Sequence, residues 1–99
     1  FQEDTYKLNM QKSAQFRVLA SELGTSASAL AIAWLLSQGE HVVPIPGTRS
    51  VSHLDELVSG AGLSLSPTDL EAIEQALPVG WCCGDRYTAD QWRGPERYC

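Results

Sequence analysis

The stretch His41-Val42-Val43-Pro44-Ile45-Pro46-Gly47-Thr48-Arg49-Ser50, continuing through Val51-Ser52-His53-Leu54-Asp55-Glu56, decides how the rest of the chain is read. His41 to Ile45 is a short β-branched run of the kind that forms a buried strand in a parallel sheet. Pro44 complicates this, because proline cannot donate to a ladder and normally sits at a strand edge or end. Pro46, Gly47 and Thr48 break the run into a turn. Ser50 is then placed as the N-cap of a helix carrying Leu54, Leu57, Val58 and Ala61 on one face, with Gly60 and Gly62 marking its end. A turn between a strand and a helix N-terminus offers free backbone N–H groups and the positive end of the helix dipole, the makings of an anion site. Gly47 lets the backbone approach a ligand, Thr48 and Ser50 offer hydroxyls, and Arg49 offers a planar fork suited to phosphate. Local pattern alone favours a plainer account, in which Thr48 or Ser50 caps the helix and Arg49 is a solvated surface charge.

Upstream, Asp4 to Leu23 predicts a long amphipathic helix, with Phe16, Leu19, Ala20 and Leu23 recurring on one face and Gly24 as its stop. Thr25 is placed as the N-cap of a second helix, Ala27 to Ser37, which is apolar almost all round and so must be covered on more than one side. Gly39 ends it. Downstream, Leu63 to Leu65 leads into the clearest helix start in the chain: Ser66 as N-cap, Pro67 at the first helical position, Asp69 where a capping-box acid belongs. Leu70, Ile73 and Leu77 give this helix its buried stripe, and Pro78 stops it. Residues 79–99 hold Gly, Pro and the aromatics Trp81, Tyr87, Trp92 and Tyr98 without sustained period, an irregular tail that packs against something.

Composition excludes several classes. The 99 residues carry 43% hydrophobic and 19% charged side chains, ordinary for one soluble globular domain and far from the signature of disorder. With a net charge of -5 and seven scattered Lys and Arg, the chain has no footprint for nucleic acid or an anionic membrane. The longest apolar run, Ala29 to Leu36, falls far short of the ~20 residues that span a bilayer, and no signal core is present, so a cytoplasmic location is expected. Cys82, Cys83 and Cys99 make neither a disulfide framework nor a Cys-x-x-Cys site, and His41 and His53 lie far from them, so no metal site is expected. The chain opens on Phe1 within a helical pattern, which suggests a start inside a longer reading frame.

The expected order is helix, helix, strand, helix, helix, tail. One strand cannot make a sheet, since its backbone groups would be unpaired on both edges and the helices would lack the layer they are built to cover. Either the chain is an all-helical miniprotein or it is a piece of a larger α/β fold; the strand-turn-helix signal and the apolar second helix favour the piece. The string Val42 to Arg49 followed by His53-Leu54-Asp55-Glu56 resembles the last strand and last barrel helix of the aldo-keto reductases, a (β/α)8 barrel family of NADP-dependent carbonyl and alcohol oxidoreductases. The likeness continues upstream through Leu30-Ala31-Ile32-Ala33-Trp34-Leu35-Leu36 and downstream from Leu63-Ser64-Leu65-Ser66-Pro67 to Gly84-Asp85-Arg86-Tyr87.

The resemblance implies a fold and a role. Residues 1–99 would be a partial domain, the C-terminal part of a TIM barrel, mostly helical as an isolated chain, since a complete barrel needs roughly 250 residues. Gly47, Thr48 and Arg49 would grip the 2′-phosphate of NADP(H), His53 would lie beside the adenine and Glu56 would meet its amine. A hydrogen bond to a charged group contributes about 1.5 to 3 kcal/mol, so Arg49 alone could favour NADP over NAD roughly tenfold to a hundredfold. Leu57 stands where the family usually has Asn and removes a polar contact to adenine; residues 58–62 are also richer in glycine than usual, and both imply weaker adenine binding. The family's catalytic Asp, Tyr, Lys and His map nowhere in this chain, which leaves it without catalytic residues and inactive alone, while its parent acts on a small carbonyl substrate. Trp81, Tyr87 and Trp92 would lie where the family's C-terminal loop closes over the substrate mouth, though a packing role is the simpler one. A rival reading from another class is a non-catalytic helical interaction module, or truncated gene product, that keeps barrel helices as a binding surface. Substrate identity and oligomeric state are beyond the sequence.

Overall fold

A computed structural model describes residues 3–84 of the chain. Four helices follow one another: α1 (Glu3–Glu22), α2 (Ala27–Ser37), α3 (Val51–Ala61) and α4 (Pro67–Ala76). α1 stops because Gly24 adopts the left-handed conformation, φ 70°, in which Thr25 N–H reaches the Ala20 carbonyl at 2.9 Å and Gly24 N–H the Ser21 carbonyl at 3.0 Å, a Schellman close. The chain then turns through 90° into α2. The N-cap there is Ser26, whose hydroxyl accepts the Ala29 N–H at 3.1 Å, and not Thr25. A cap bonds the N–H two or three residues on, and Ser26 is the residue standing three before Ala29.

The core sits where α1, α2 and α4 meet. Ala20, Leu30 and Ile73 are buried, with Phe16, Leu19, Trp34 and Leu65 packed around them. Leu30 is the largest fully buried side chain, a burial that contributes about 2 to 3 kcal/mol. α2 is covered on two sides, as its composition requires: it packs on α1 and on α3, burying Ala29, Leu30, Ile32 and Ala33. The core remains thin for the chain length. The radius of gyration is 15.0 Å, against roughly 13 Å for a compact domain of this size.

Two expectations are overturned here. Residues 41–45 form no strand, and among the described residues no strand occurs at all. A strand needs the backbone of a neighbour, and nothing described here supplies one; Val43 and Ile45 stand 78% and 93% exposed. The buried face of α3 is also not the apolar one. Leu54 and Val58 are 47% and 63% exposed, and the buried residue is Gly60, in the last turn of the helix just before its Gly62 cap, where the sequence placed the helix end. A side chain at Gly60 would place its Cβ 2.4 Å from the Ala29 carbonyl oxygen and 2.9 Å from the Ala29 Cα, so α2 and α3 cross at a point where only glycine fits. Close backbone approach has chosen the packing face over side-chain hydrophobicity.

After α4, a turn in which Trp81 N–H bonds the Pro78 carbonyl at 2.9 Å leads into an irregular segment tied to α1. Residues 79–84 thus begin the expected irregular tail. Asp85, Arg86, Tyr87, Trp92, Tyr98 and Cys99 lie outside the described residues. Among the described residues no single helix is long and apolar enough to cross a membrane.

Candidate functional site

With Gly60 seated on α2, the stripe of α3 that faces α2 is His53, Glu56, Leu57 and Gly60, the i, i+3, i+4, i+7 positions of one helix face. Beyond Gly60 towards the start of α3 the two helices enclose an open cleft of about 710 Å³, lined by Ser28 of α2, by Gly47, Thr48, Arg49 and Ser50 of the turn, and by His53, Glu56 and Leu57. The structure therefore brings all five residues singled out in the sequence, Gly47, Thr48, Arg49, His53 and Glu56, to one cleft. Ser28 was not foreseen. It precedes the buried pair Ala29 and Leu30 in the first turn of α2, and only the α2–α3 crossing reveals that it faces the turn.

The geometry of the turn suits an anion. Thr48 Oγ1 donates to the Ser50 carbonyl at 3.2 Å and accepts the Ser50 N–H at 3.4 Å, which fixes the approach to α3. Ser50 is the N-cap by position, yet its hydroxyl makes no capping bond; it pairs with the Ser52 hydroxyl at 2.8 Å. The first intrahelical bond runs from Leu54 N–H to the Ser50 carbonyl, so the N–H groups of residues 51–53 have no helical acceptor. No acidic residue stands in that first turn to occupy the positive end of the dipole. Arg49 is exposed, lines the cleft, and among the described residues its guanidinium has no hydrogen-bond or ion-pair partner. Nothing lies within 4 Å of where a Gly47 Cβ would stand, so space is open there for a ligand atom. Backbone donors at a helix start with an unpaired guanidinium are the chemistry of an anion site, and Glu56 stands half-buried on the same cleft.

Comparison with known proteins gives the site its context. The profile of the Aldo/keto reductase family matches residues 1–78. The chain belongs to the aldo/keto reductase family. Among curated proteins, "Probable aldo-keto reductase 1" of Glycine max is 38% identical over 87 residues, covering 88% of this chain and 25% of that reductase. "Aldo-keto reductase yakc", a Schizosaccharomyces pombe protein whose name carries the label NADP(+), is 29% identical over 87 residues, covering 88% of this chain and 26% of the relative. "Aldo-keto reductase str7" of Strobilurus tenacellus is 26% identical over 86 residues, covering 87% and 26%. The chain thus spans about a quarter of the length of the aldo/keto reductases it matches. No solved structure is a significant match.

A second cavity, about 310 Å³, lies among Phe16, Trp34, Leu35, Ile73, Leu77 and Trp81. Its lining is apolar and brings no acid, base or nucleophile together. Trp81, which the family likeness put beside a substrate mouth, here packs half-buried against this helical core.

Proposed function

We propose that this chain is the portion of an NADP(H)-dependent aldo/keto reductase that holds the adenosine-phosphate end of the cofactor, lying in the C-terminal third or so of a (β/α)8 barrel. The observation that carries the reading is the convergence of the turn Gly47-Thr48-Arg49-Ser50 and the α3 stripe His53 and Glu56 on one cleft. In this reading Arg49, Thr48 and the free N–H groups at the start of α3 take the 2′-phosphate, His53 lies against the adenine and Glu56 accepts from its amine. The cofactor, when bound, supplies the hydride that the parent enzyme delivers to a carbonyl carbon. The residues of this chain bind and orient; the Asp, Tyr, Lys and His that handle the proton belong to parts of the parent barrel outside it.

The apolar surface left open supports the same placement. Val43 and Ile45 are exposed, and so are Val51, Leu54 and Val58, three residues on one face of α3. A barrel would pair the 41–45 segment as its eighth strand and cover that face, with the turn at the C-terminal rim where barrel sites lie. The same surface is what the rival reading, a helical interaction module, would use. The two separate on one titration. Isothermal calorimetry of the chain with 2′-phospho-ADP and with ADP should show the 2′-phosphate bound more tightly by about tenfold to a hundredfold. A monomeric, cooperatively folded chain indifferent to both ligands would overturn the cofactor reading and leave the module.

A further inference from the structure

Ser28 is the residue that α2 contributes to the lining of the cleft, and neither the cap nor the core of that helix uses it. Ser26 makes the cap, and Ala29 and Leu30 are buried, while Ser28 between them is exposed. A serine inside a helix can donate its hydroxyl proton to the carbonyl one turn earlier, as Ser13 does to Met10, Ser37 to Trp34 and Ser59 to Glu56. Ser28 is the second residue of α2, and the residue three before it, Thr25, precedes the cap. Among the described residues its hydroxyl has no hydrogen-bond partner. Its place along the cleft follows from the crossing. Gly60 lies against Ala29, the next residue after Ser28, and Glu56 and Leu57 stand one turn before Gly60. Ser28, Glu56 and Leu57 thus make the crossing end of the cleft, and Gly47 to Ser50 make the other. About 9 Å of helix separates the α3 N-cap from Glu56, so the two ends meet different parts of one ligand.

We propose that Ser28 is a specificity-determining residue of this cleft, its hydroxyl donating to the ring nitrogen beside the adenine amine. The inference rests on the cofactor reading above, in which Glu56 accepts from that amine. A carboxylate only accepts, whereas a hydroxyl has a proton to give. The amine of a 6-aminopurine stands beside a ring nitrogen that accepts, so one acceptor and one donor side by side match it. A 6-oxopurine carries an accepting oxygen in the amine's place. Against the Glu56 carboxylate that oxygen is acceptor facing acceptor, and the base is not seated. Leu57, half-buried at the same end, brings no polar group, and Glu56 brings no proton. Ser28 is the side chain of the crossing end that supplies the donor.

The test is calorimetric titration of the full chain and its Ser28 variants with 2′-phospho-ADP, with its hypoxanthine counterpart 2′-phospho-IDP, and with ADP. Ser28→Ala should weaken 2′-phospho-ADP about three- to tenfold, the range of one neutral hydrogen bond, and change 2′-phospho-IDP less than about twofold. Ser28→Thr keeps the hydroxyl and should keep the affinity for the adenine ligand. The fold is not at risk, because Ser28 is exposed and alanine is the better helix former; circular dichroism should show Ser28→Ala no less stable than the parent chain. A merely structural role would weaken both purine ligands alike. That result, or an unchanged affinity of Ser28→Ala for 2′-phospho-ADP, overturns the Ser28 assignment while the preference of the unsubstituted chain for 2′-phospho-ADP over ADP leaves the phosphate grip standing. An unsubstituted chain that does not distinguish 2′-phospho-ADP from ADP overturns the cofactor reading itself, and the Ser28 assignment with it.

Discussion

Helices α3 and α4 are nearly equal in length and both start after a serine, yet their first turns are finished in opposite ways. At α4 the Ser66 hydroxyl accepts the Asp69 N–H at 3.1 Å, the Asp69 carboxylate accepts the Ser66 N–H at 2.9 Å, and Pro67 has no N–H to satisfy. At α3 the Ser50 hydroxyl turns to Ser52, no acid is present, and the terminus opens on the cleft beside Arg49. The first terminus satisfies its own donors and lends stability. The second forgoes that gain, which is what binding an external anion requires.

The strongest challenge to this contrast is to remove the crossing that forms the cleft. Gly60→Ala improves helix propensity by about 1 kcal/mol, but its methyl would overlap the Ala29 backbone, which cannot swing aside as a side chain could. A net destabilisation of about 2 to 3 kcal/mol is expected in urea unfolding followed by circular dichroism, together with lost affinity for 2′-phospho-ADP. A variant as stable as the parent chain would show that α2 and α3 do not cross at Gly60.

Next in size is Arg49→Ala. Arg49 is exposed and without a partner among the described residues, so the fold should be indifferent, while 2′-phospho-ADP affinity falls about tenfold to a hundredfold by calorimetry. ADP affinity should hardly move. In the parent enzyme the same change should raise the KM for NADPH far more than that for NADH; equal effects would refute the phosphate grip.

How much of this the sequence revealed depends on the range of the interaction concerned. The start of α4 was readable because Ser66, Pro67 and Asp69 lie within one turn and carry their own hydrogen-bond logic. The span Ala27–Ser37 of α2 was readable from composition, although Thr25 and Ser26 are equivalent as letters and only bond geometry selects Ser26. The turn was readable as donors at a helix start. The face of α3 was readable only in part: of Leu54, Leu57, Val58 and Ala61 only Leu57 lies on the stripe towards α2, and the crossing selects Gly60 for the side chain it lacks, a property with no periodic signal. The strand at 41–45 was misread for this chain because pairing is nonlocal; the β-branched letters are present and the neighbouring backbone is not.

Smaller effects probe the two caps directly. Ser66→Ala removes half of a capping box and should lower stability by about 1 kcal/mol, with no consequence for ligand affinity. The same substitution at the other terminus, Ser50→Ala, is the most discriminating although its stability effect is the least. An N-cap serine ordinarily contributes about 1 kcal/mol through a bond to the N–H two or three residues on, and the Ser50 hydroxyl makes no such bond. Its replacement should therefore change stability by no more than a few tenths of a kcal/mol, while removing one hydroxyl from the cleft and releasing Ser52 from its pairing. Should urea unfolding instead register the full loss of a cap, the Ser50 hydroxyl already serves the helix in solution. The N–H groups of α3 would then be committed before any phosphate arrives, and the contrast between the two termini would collapse.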